Sequence, residues 1–478
     1  MITLNKNNEV DSSKSAFYLL ICVFFFWGFV AASNDILIPI FKKALNLKQW
    51  QSQLISVTFY VAYTVGSIAY LLYEKFSNDD FLSKIGYKKG LILGLGISAF
   101  GTLLFYPAAQ SGSFNLLLLG LFIVGLGFSL QQTAANPLVI NIGDKLRSSQ
   151  RLSMAGGVNN IGTTIGPILV SYAIFNQIGA ATNINLENVK IPYLVLGASF
   201  VLVAFLIHFS KIPNFLNSST EIKEFKAIPN IESQKKSALQ YPQLVLGMIA
   251  IFIYVGVEVS NGANLSEYLK QYCGLNEKEI TPFISLYWGS LMIGRWASSA
   301  SVFTENKIYS ALLKWIMPYL AFALFLLVNL IAGYDIDQFY FYAVIIVVLV
   351  LADIISKGDP SKQLMLYSGL GVLFLTIGMA MPGIKGAMAF VSVGLFCSTL
   401  WPCIFTLAIQ GLGKFTNQGS SYLIMMIMGG GIVSFIQSYL SENHLLGINL
   451  SYLVGVLCFL YLLFYGWKTG KISKNSQL

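Results

Sequence analysis

The chain has 478 residues, of which 55% are hydrophobic and only 11% charged, with 30 Lys and Arg against 21 Asp and Glu. That is far too little polar surface to clothe a water-soluble globule of this size, so the sequence reads as an all-α polytopic membrane protein. The net charge of +9 calls for no nucleic acid, because basic loops facing anionic lipid account for it.

Apolar runs of about 20 residues, enough to cross the hydrocarbon as helix, recur along the whole chain. They fall at about 16–41, 51–74, 88–109, 114–141, 152–177, 191–210, 242–264, 281–303, 308–332, 338–356, 363–382, 386–410, 418–440 and 445–467. Fourteen spans put both termini on one side. Assigning the N-terminus to the cytoplasm places most Lys and Arg inside, as the positive-inside rule requires. The first run is too long for a signal-peptide core and is expected to stay as a span.

That first run contains Asp35, with no basic residue beside it. A carboxylate inside a spanning helix costs about 2.5–3.5 kcal/mol on insertion scales, so Asp35 is a functional candidate. The alternative is a solvated helix end, since Lys42 and Lys43 follow closely. In the fourth run, Gln132 and Asn136 lie one turn apart on one face, just before Pro137. Two amides offer donors and acceptors suited to a neutral polyhydroxylated ligand, although helix-to-helix bonding would use them as well. The fifth run carries Gly156, Gly157, Asn159, Asn160, Thr163 and Thr164. Only one of the pairs Asn159/Thr163 and Asn160/Thr164 can point fully one way, and the sequence leaves the choice open. In the seventh run, Glu258 shares a face with Asn261, and Arg295 is its obvious partner if it is a structural ion.

The longest polar stretch, about 211–241, divides six spans from eight. The halves echo each other faintly. Ser33-Asn34 with Tyr60 matches Ser260-Asn261 with Tyr287 at an offset of 227, whereas Asn136-Pro137 matches Trp401-Pro402 at an offset of 265. Two added spans, about 308–332 and 338–356, explain the jump. The five cysteines and two histidines show no metal, redox or nucleophile spacing, so no metal, cofactor or catalytic residue is expected and the chain is not read as an enzyme.

These residues, in this order, resemble the fucose permease family of the major facilitator superfamily, hydrogen-ion-coupled sugar symporters. The resemblance runs through Asn34-Asp35-Ile36-Leu37-Ile38-Pro39, Thr133-Ala134-Ala135-Asn136-Pro137, Arg151-Leu152, Gly294-Arg295, Trp401-Pro402-Cys403 and Gly419-Ser420-Ser421. Tyr254 to Ser260 and Tyr287-Trp288-Gly289-Ser290 look most like its bacterial glucose/galactose transporter branch. The resemblance implies two pseudo-symmetric six-helix bundles, 1–210 and 242–478, joined by a cytoplasmic linker at 211–241. Two extra helices at about 308–356 would pack peripherally on the second bundle.

By the same resemblance, Asp35 falls on the family's protonation site. The second membrane carboxylate falls on Gln132, which cannot titrate, so Asp35 acts alone or with Glu258, or the carrier is a facilitator or sodium-coupled. The family's sugar-binding Gln falls on Gly156, and its Tyr before proline on Trp401, which keeps an aromatic wall for a pyranose. The loop signature Leu82 to Gly90 lacks its usual acidic residue in register. The expected function is import of a neutral hexose with a proton by alternating access in the inner membrane. The expected coupling residues are Asp35 and Glu258. The expected sugar contacts are Asn34, Gln132, Asn136, Asn159, Asn160, Glu258, Asn261 and Trp401, and the expected assembly is a monomer in lipid. A membrane sugar sensor is the non-transporter alternative.

Overall fold

The computed structural model describes residues 16–30, 45, 49–77, 79–142, 147–175, 187–214, 237–304, 306–381, 383–442 and 445–475. Asn34 and Asp35 lie outside the described residues, as does most of the 211–241 stretch.

The described chain is helical. The helices are α1 (Ala16–Val30), α2 (Gln49–Ser77), α3 (Phe81–Ile85), α4 (Tyr87–Leu103), α5 (Phe105–Ser111), α6 (Phe114–Asn141), α7 (Ser148–Phe175) and α8 (Glu187–Phe209). They continue with α9 (Pro242–Cys273), α10 (Glu277–Ser299), α11 (Lys307–Ile331), α12 (Tyr342–Ser356), α13 (Pro360–Ala380), α14 (Ile384–Cys397) and α15 (Leu400–Ile409). The last are α16 (Thr416–Met425), α17 (Gly429–Leu440), α18 (Gly447–Ser451) and α19 (Leu453–Asn475). Ten stretches among the described residues are long and apolar enough to cross a membrane, the two expected extra spans included. At the positions of the other four expected spans stand α1, α2, α7 and α10.

Helix starts are set by side-chain caps, which satisfy amide groups that the first turn leaves open. Asp80 accepts from Leu82 N, Ser113 from Leu116 N, Asn306 from Ile308 N, and Asp359 from Ser361 N just ahead of Pro360.

The chain forms two compact units. The first comprises Met1–Lys145, Ile161–Tyr241 and Gly411–Met425, and the second comprises Leu146–Asn160, Pro242–Gln410 and Met426–Leu478.

In the first unit, α6 is the central element, packed by α4 on one side and α2 on the other. Small residues let the α4 and α6 backbones touch, as membrane helices require in the absence of a hydrophobic drive between them. A Cβ at Gly127 would lie 2.5 Å from the Gly94 carbonyl oxygen and 2.8 Å from Ser98 N, and one at Gly101 would lie 2.7 Å from Val124 N. Ser67 and Ser129 hydroxyls meet at 3.2 Å where α2 crosses α6.

In the second unit, α9 packs on α17, α13 on α19 and α14, and α10 on α14. Gly394 lets α10 approach α14, since a Cβ there would sit 2.5 Å from the Tyr287 carbonyl oxygen. The extra pair belongs to this unit. Its α11 lies along α10, and α12 leans on α13. Asn329 on α11 donates to Ser285 Oγ at 3.1 Å.

These contacts predict the outcome of one paired substitution. Gly127→Leu overfills the α4–α6 crossing, a change that costs about 1–3 kcal/mol in packed interiors. It should lower the melting temperature of detergent-purified protein by several degrees. Gly96→Ala, where an added Cβ meets nothing within 4 Å, should leave it unchanged or slightly raised. Equal melting temperatures for the two variants would contradict the close-contact reading.

Candidate functional site

In the first unit the polar residues of α6 are tied into a ladder. Trp27 Nε1 on α1 donates to Gln131 Oε1 at 2.9 Å, and Gln131 Nε2 donates onward to Ser98 Oγ on α4 at 2.9 Å. Gln131 is fully buried, so it fastens three helices. Its neighbour Gln132, pointing about 100° away, is only partly buried and donates from Nε2 to the hydroxyl of Tyr63 on α2 at 2.8 Å. Asn136 is buried to 1% exposure, and its Nδ2 has no hydrogen-bond partner among the described residues. An amide donor left open in the apolar interior is expensive.

In the second unit the arrangement centres on Arg295. Pro402 on α15 has no amide hydrogen, so the carbonyl four residues earlier, that of Ser398, loses its helical donor. Arg295 Nε supplies one at 2.9 Å, at the break between α14 and α15. The same guanidinium donates from Nη1 to the Asn160 side-chain oxygen at 2.7 Å and to the Gly156 carbonyl at 3.1 Å, both on α7. Its Nη2 stands 3.9 Å from Glu258 Oε1. One planar cation thus holds α7, α9, α10 and the start of α15 together.

Glu258 has further support. Tyr254, one turn earlier, donates its hydroxyl to Glu258 Oε1 at 2.8 Å, and Tyr287 donates to the Glu258 backbone carbonyl at 2.7 Å. The Glu258 side chain is 13% exposed. Trp401 packs its indole toward Tyr254, with ring centroids 6.3 Å apart, and toward Phe405 at 5.8 Å. Asn261 is buried. Its Nδ2 donates to the Phe390 carbonyl at 3.0 Å, and its Oδ1 has no partner among the described residues.

The structure therefore links Asn160, Arg295, Glu258, Tyr254 and Trp401 in one run of contacts, and sets Gln132 beside Tyr63 in the other unit. Asn160 is buried and its oxygen is taken by Arg295, whereas Asn159 is only partly buried. Gly156, where the resemblance leads one to expect a glutamine, has its space filled by the arginine. A Cβ there would lie 3.1 Å from Arg295 Cδ and 3.2 Å from its Nε.

Three participants escaped the sequence reading. Tyr254 was legible as an i,i+4 partner of Glu258. Tyr63 carried no signal short of the fold. The third is Asp80, two residues ahead of the loop signature Leu82 to Gly90. It accepts from Leu82 N at 2.9 Å, Ser83 Oγ at 2.7 Å, Tyr70 and Asn417, and Tyr87 also donates to Asn417. Beside it, Gln418 Nε2 donates to Glu74 at 2.9 Å, so the loop is fastened to the start of α16.

Among known proteins, the family profile of the Major Facilitator Superfamily matches residues 19–438. A glucose/galactose transporter of Brucella abortus biovar 1 is 31% identical over 96% of both chains. A putative glucose/galactose transporter of Helicobacter pylori strain J99 is 30% identical over 98% of this chain and 100% of the relative. The L-fucose-proton symporter of Escherichia coli K12 is 26% identical over 93% and 90%. The crystal structure of the transporter FucP in the outward conformation superposes with a TM-score of 0.71 at 25% identity, over 96% of this chain and 99% of that one. The protein is a transporter and not an enzyme, and it belongs to the major facilitator superfamily, in the group that holds relatives named glucose/galactose transporter and L-fucose-proton symporter.

Proposed function

We propose that the protein imports a neutral hexose, glucose, galactose or a related sugar, together with a proton, by alternating access of two six-helix bundles in the inner membrane, with both termini in the cytoplasm. The observation that carries this reading is that the Arg295 guanidinium is already committed to Glu258, Asn160 and two backbone carbonyls. An anionic substrate needs an uncommitted cation, whereas a sugar needs amides, hydroxyls and an aromatic wall. Gln132, Asn136, Asn261 and Trp401 carry that chemistry in their side chains, and the family resemblance adds Asn34 and one of Asn159 and Asn160 to the proposed contacts. The glucose and galactose named for the Brucella abortus relative support the hexose. The proton named for the Escherichia coli relative supports the coupling ion.

Asp35 is the proposed proton carrier, with Glu258 as the second coupling group. Protonating Asp35 removes a charge whose movement through the bilayer would be costly. Protonating Glu258 would release the Nη2 arm of Arg295. Because Gln132 stands where the family has a carboxylate, a sodium-coupled or uncoupled carrier is the second reading, and a carrier working as a monomer suits either.

Three experiments follow. Uptake of labelled hexoses into proteoliposomes should rise several-fold under an inward proton gradient and not under a sodium gradient. Asp35→Asn should abolish accumulation but keep sugar counterflow, and accumulation at the wild-type level would rule out the coupling role. Gln132→Ala and Trp401→Ala should each weaken hexose binding about tenfold, the loss of one good polar or stacking contact. Unchanged affinity in both would remove these residues from the site.

Arg295→Met strands Glu258 in the interior, and breaking a buried pair in this way costs about 3–5 kcal/mol. It should lower the melting temperature more than the double variant Arg295→Met/Glu258→Gln does. Additive losses would mean that the two residues are not coupled.

A further inference from the structure

The extra helix pair carries an ion pair that packing alone does not require. Lys314 Nζ on α11 lies 2.6 Å from Asp353 Oδ2 on α12, with side-chain exposures of 15% and 3%. Two charges placed in an apolar interior are retained at a desolvation cost, so their geometry is informative.

Asp353 does not stop at the lysine. Its Oδ1 accepts from Gln363 Nε2 on α13 at 2.9 Å. Gln363 is 1% exposed, and its Nε2 also donates to Ser298 Oγ on α10 at 3.1 Å. Gln363 Oε1 accepts from Cys403 Sγ on α15 at 3.5 Å. Cys403 in turn lies 3.7 Å from Ser149 Oγ at the start of α7. The network therefore leads from the extra pair through α13 into the two elements that Arg295 also holds.

The turn between α12 and α13 fixes this register. Lys357 adopts a left-handed conformation at φ 52°, and Gly358 follows at φ 74°. Asp359 then caps α13, with Pro360 in its first turn. This short connection puts Asp353 opposite Gln363, ten residues on.

Cys403 and Trp401 are two residues apart on α15, about 200° around the helix axis. Gln363 grips one face of α15 while the Trp401 indole leaves the opposite face toward Tyr254. A change of roll at Cys403 is a change of aim at Trp401.

We propose that Asp353 and Gln363 are positioning residues for the transport site. Through them the α11–α12 pair sets the roll of α15 and the presentation of Trp401, so that the extra helices are a working part of the carrier. This rests on the reading of Trp401 as the wall of the sugar site.

The test uses full-length protein in proteoliposomes and the double variant Lys314→Met/Asp353→Leu, which removes both charges at similar volume and leaves no ion stranded. Two readouts are taken: KM and maximal rate of hexose uptake, and site-resolved labelling of Cys403 by a membrane-permeant maleimide, read by mass spectrometry. The expected result is a KM raised about five- to tenfold with a smaller change in maximal rate, and Cys403 labelled several-fold faster. Lys314→Arg, which keeps the pair, should behave as wild type in both. Unchanged KM and unchanged Cys403 labelling in the double variant would overturn the proposal. If the double variant does not fold, Gln363→Leu decides the same two readouts. Should the wild-type protein take up no hexose, the functional reading fails on that ground, while Cys403 labelling still decides whether the extra pair holds α15.

Discussion

Inside a bilayer, a backbone carbonyl that leaves its helical ladder must find another donor, because no bulk water is there to serve it. Much of the second unit is organised around one such carbonyl. Pro402 frees the oxygen of Ser398, and Arg295 takes it. Having been drawn to that position, the guanidinium has further donors to place, and they fall on Asn160, Gly156 and Glu258. The break between α14 and α15, the seat of α7 at Gly156 and Asn160 and the pairing of a membrane carboxylate thus meet at a single guanidinium. The clustering of Leu146–Asn160 with the second unit accords with this.

A second theme is the division of labour between adjacent polar residues. Gln131 is spent on holding α1, α4 and α6 together, while Gln132 turns to Tyr63. On α7, Asn160 serves Arg295 while Asn159 is more open. Doublets of amides let one helix reach two different neighbours, since successive residues point about 100° apart. Asn261 has its nitrogen on the Phe390 carbonyl and its oxygen unpartnered among the described residues.

The membrane class, the helical fold and the family were legible in the sequence because apolar length and a few motif residues suffice for them. So was the pairing of Glu258 with Arg295, since two opposite charges in apolar helices have few other partners. The role of Asn160 was not legible, because choosing between Asn159 and Asn160 requires the azimuth of α7, which packing sets. Nor was the network through Asp353. Its partners Lys314 and Gln363, and Ser298 beyond Gln363, sit on three other helices, and no local spacing links them. Asp80 was missed for a different reason: it stands just outside the loop signature, and a motif read by position does not reach it.

The bare backbone at Gly156 has a consequence for how this carrier could diversify. The arginine lies where a side chain at that position would have to begin. A longer side chain at 156 and the present pose of Arg295 compete for the same space. An exchange of Gly156 for a longer residue would press the guanidinium to shift, by a few tenths of an ångström for the Cβ alone, against its contacts with Glu258 and with the carbonyl that Pro402 left open. Side-chain size at 156 and helix fastening are therefore linked at this point, and a bulkier residue here would have to be acquired together with an adjusted way of closing the α14–α15 break.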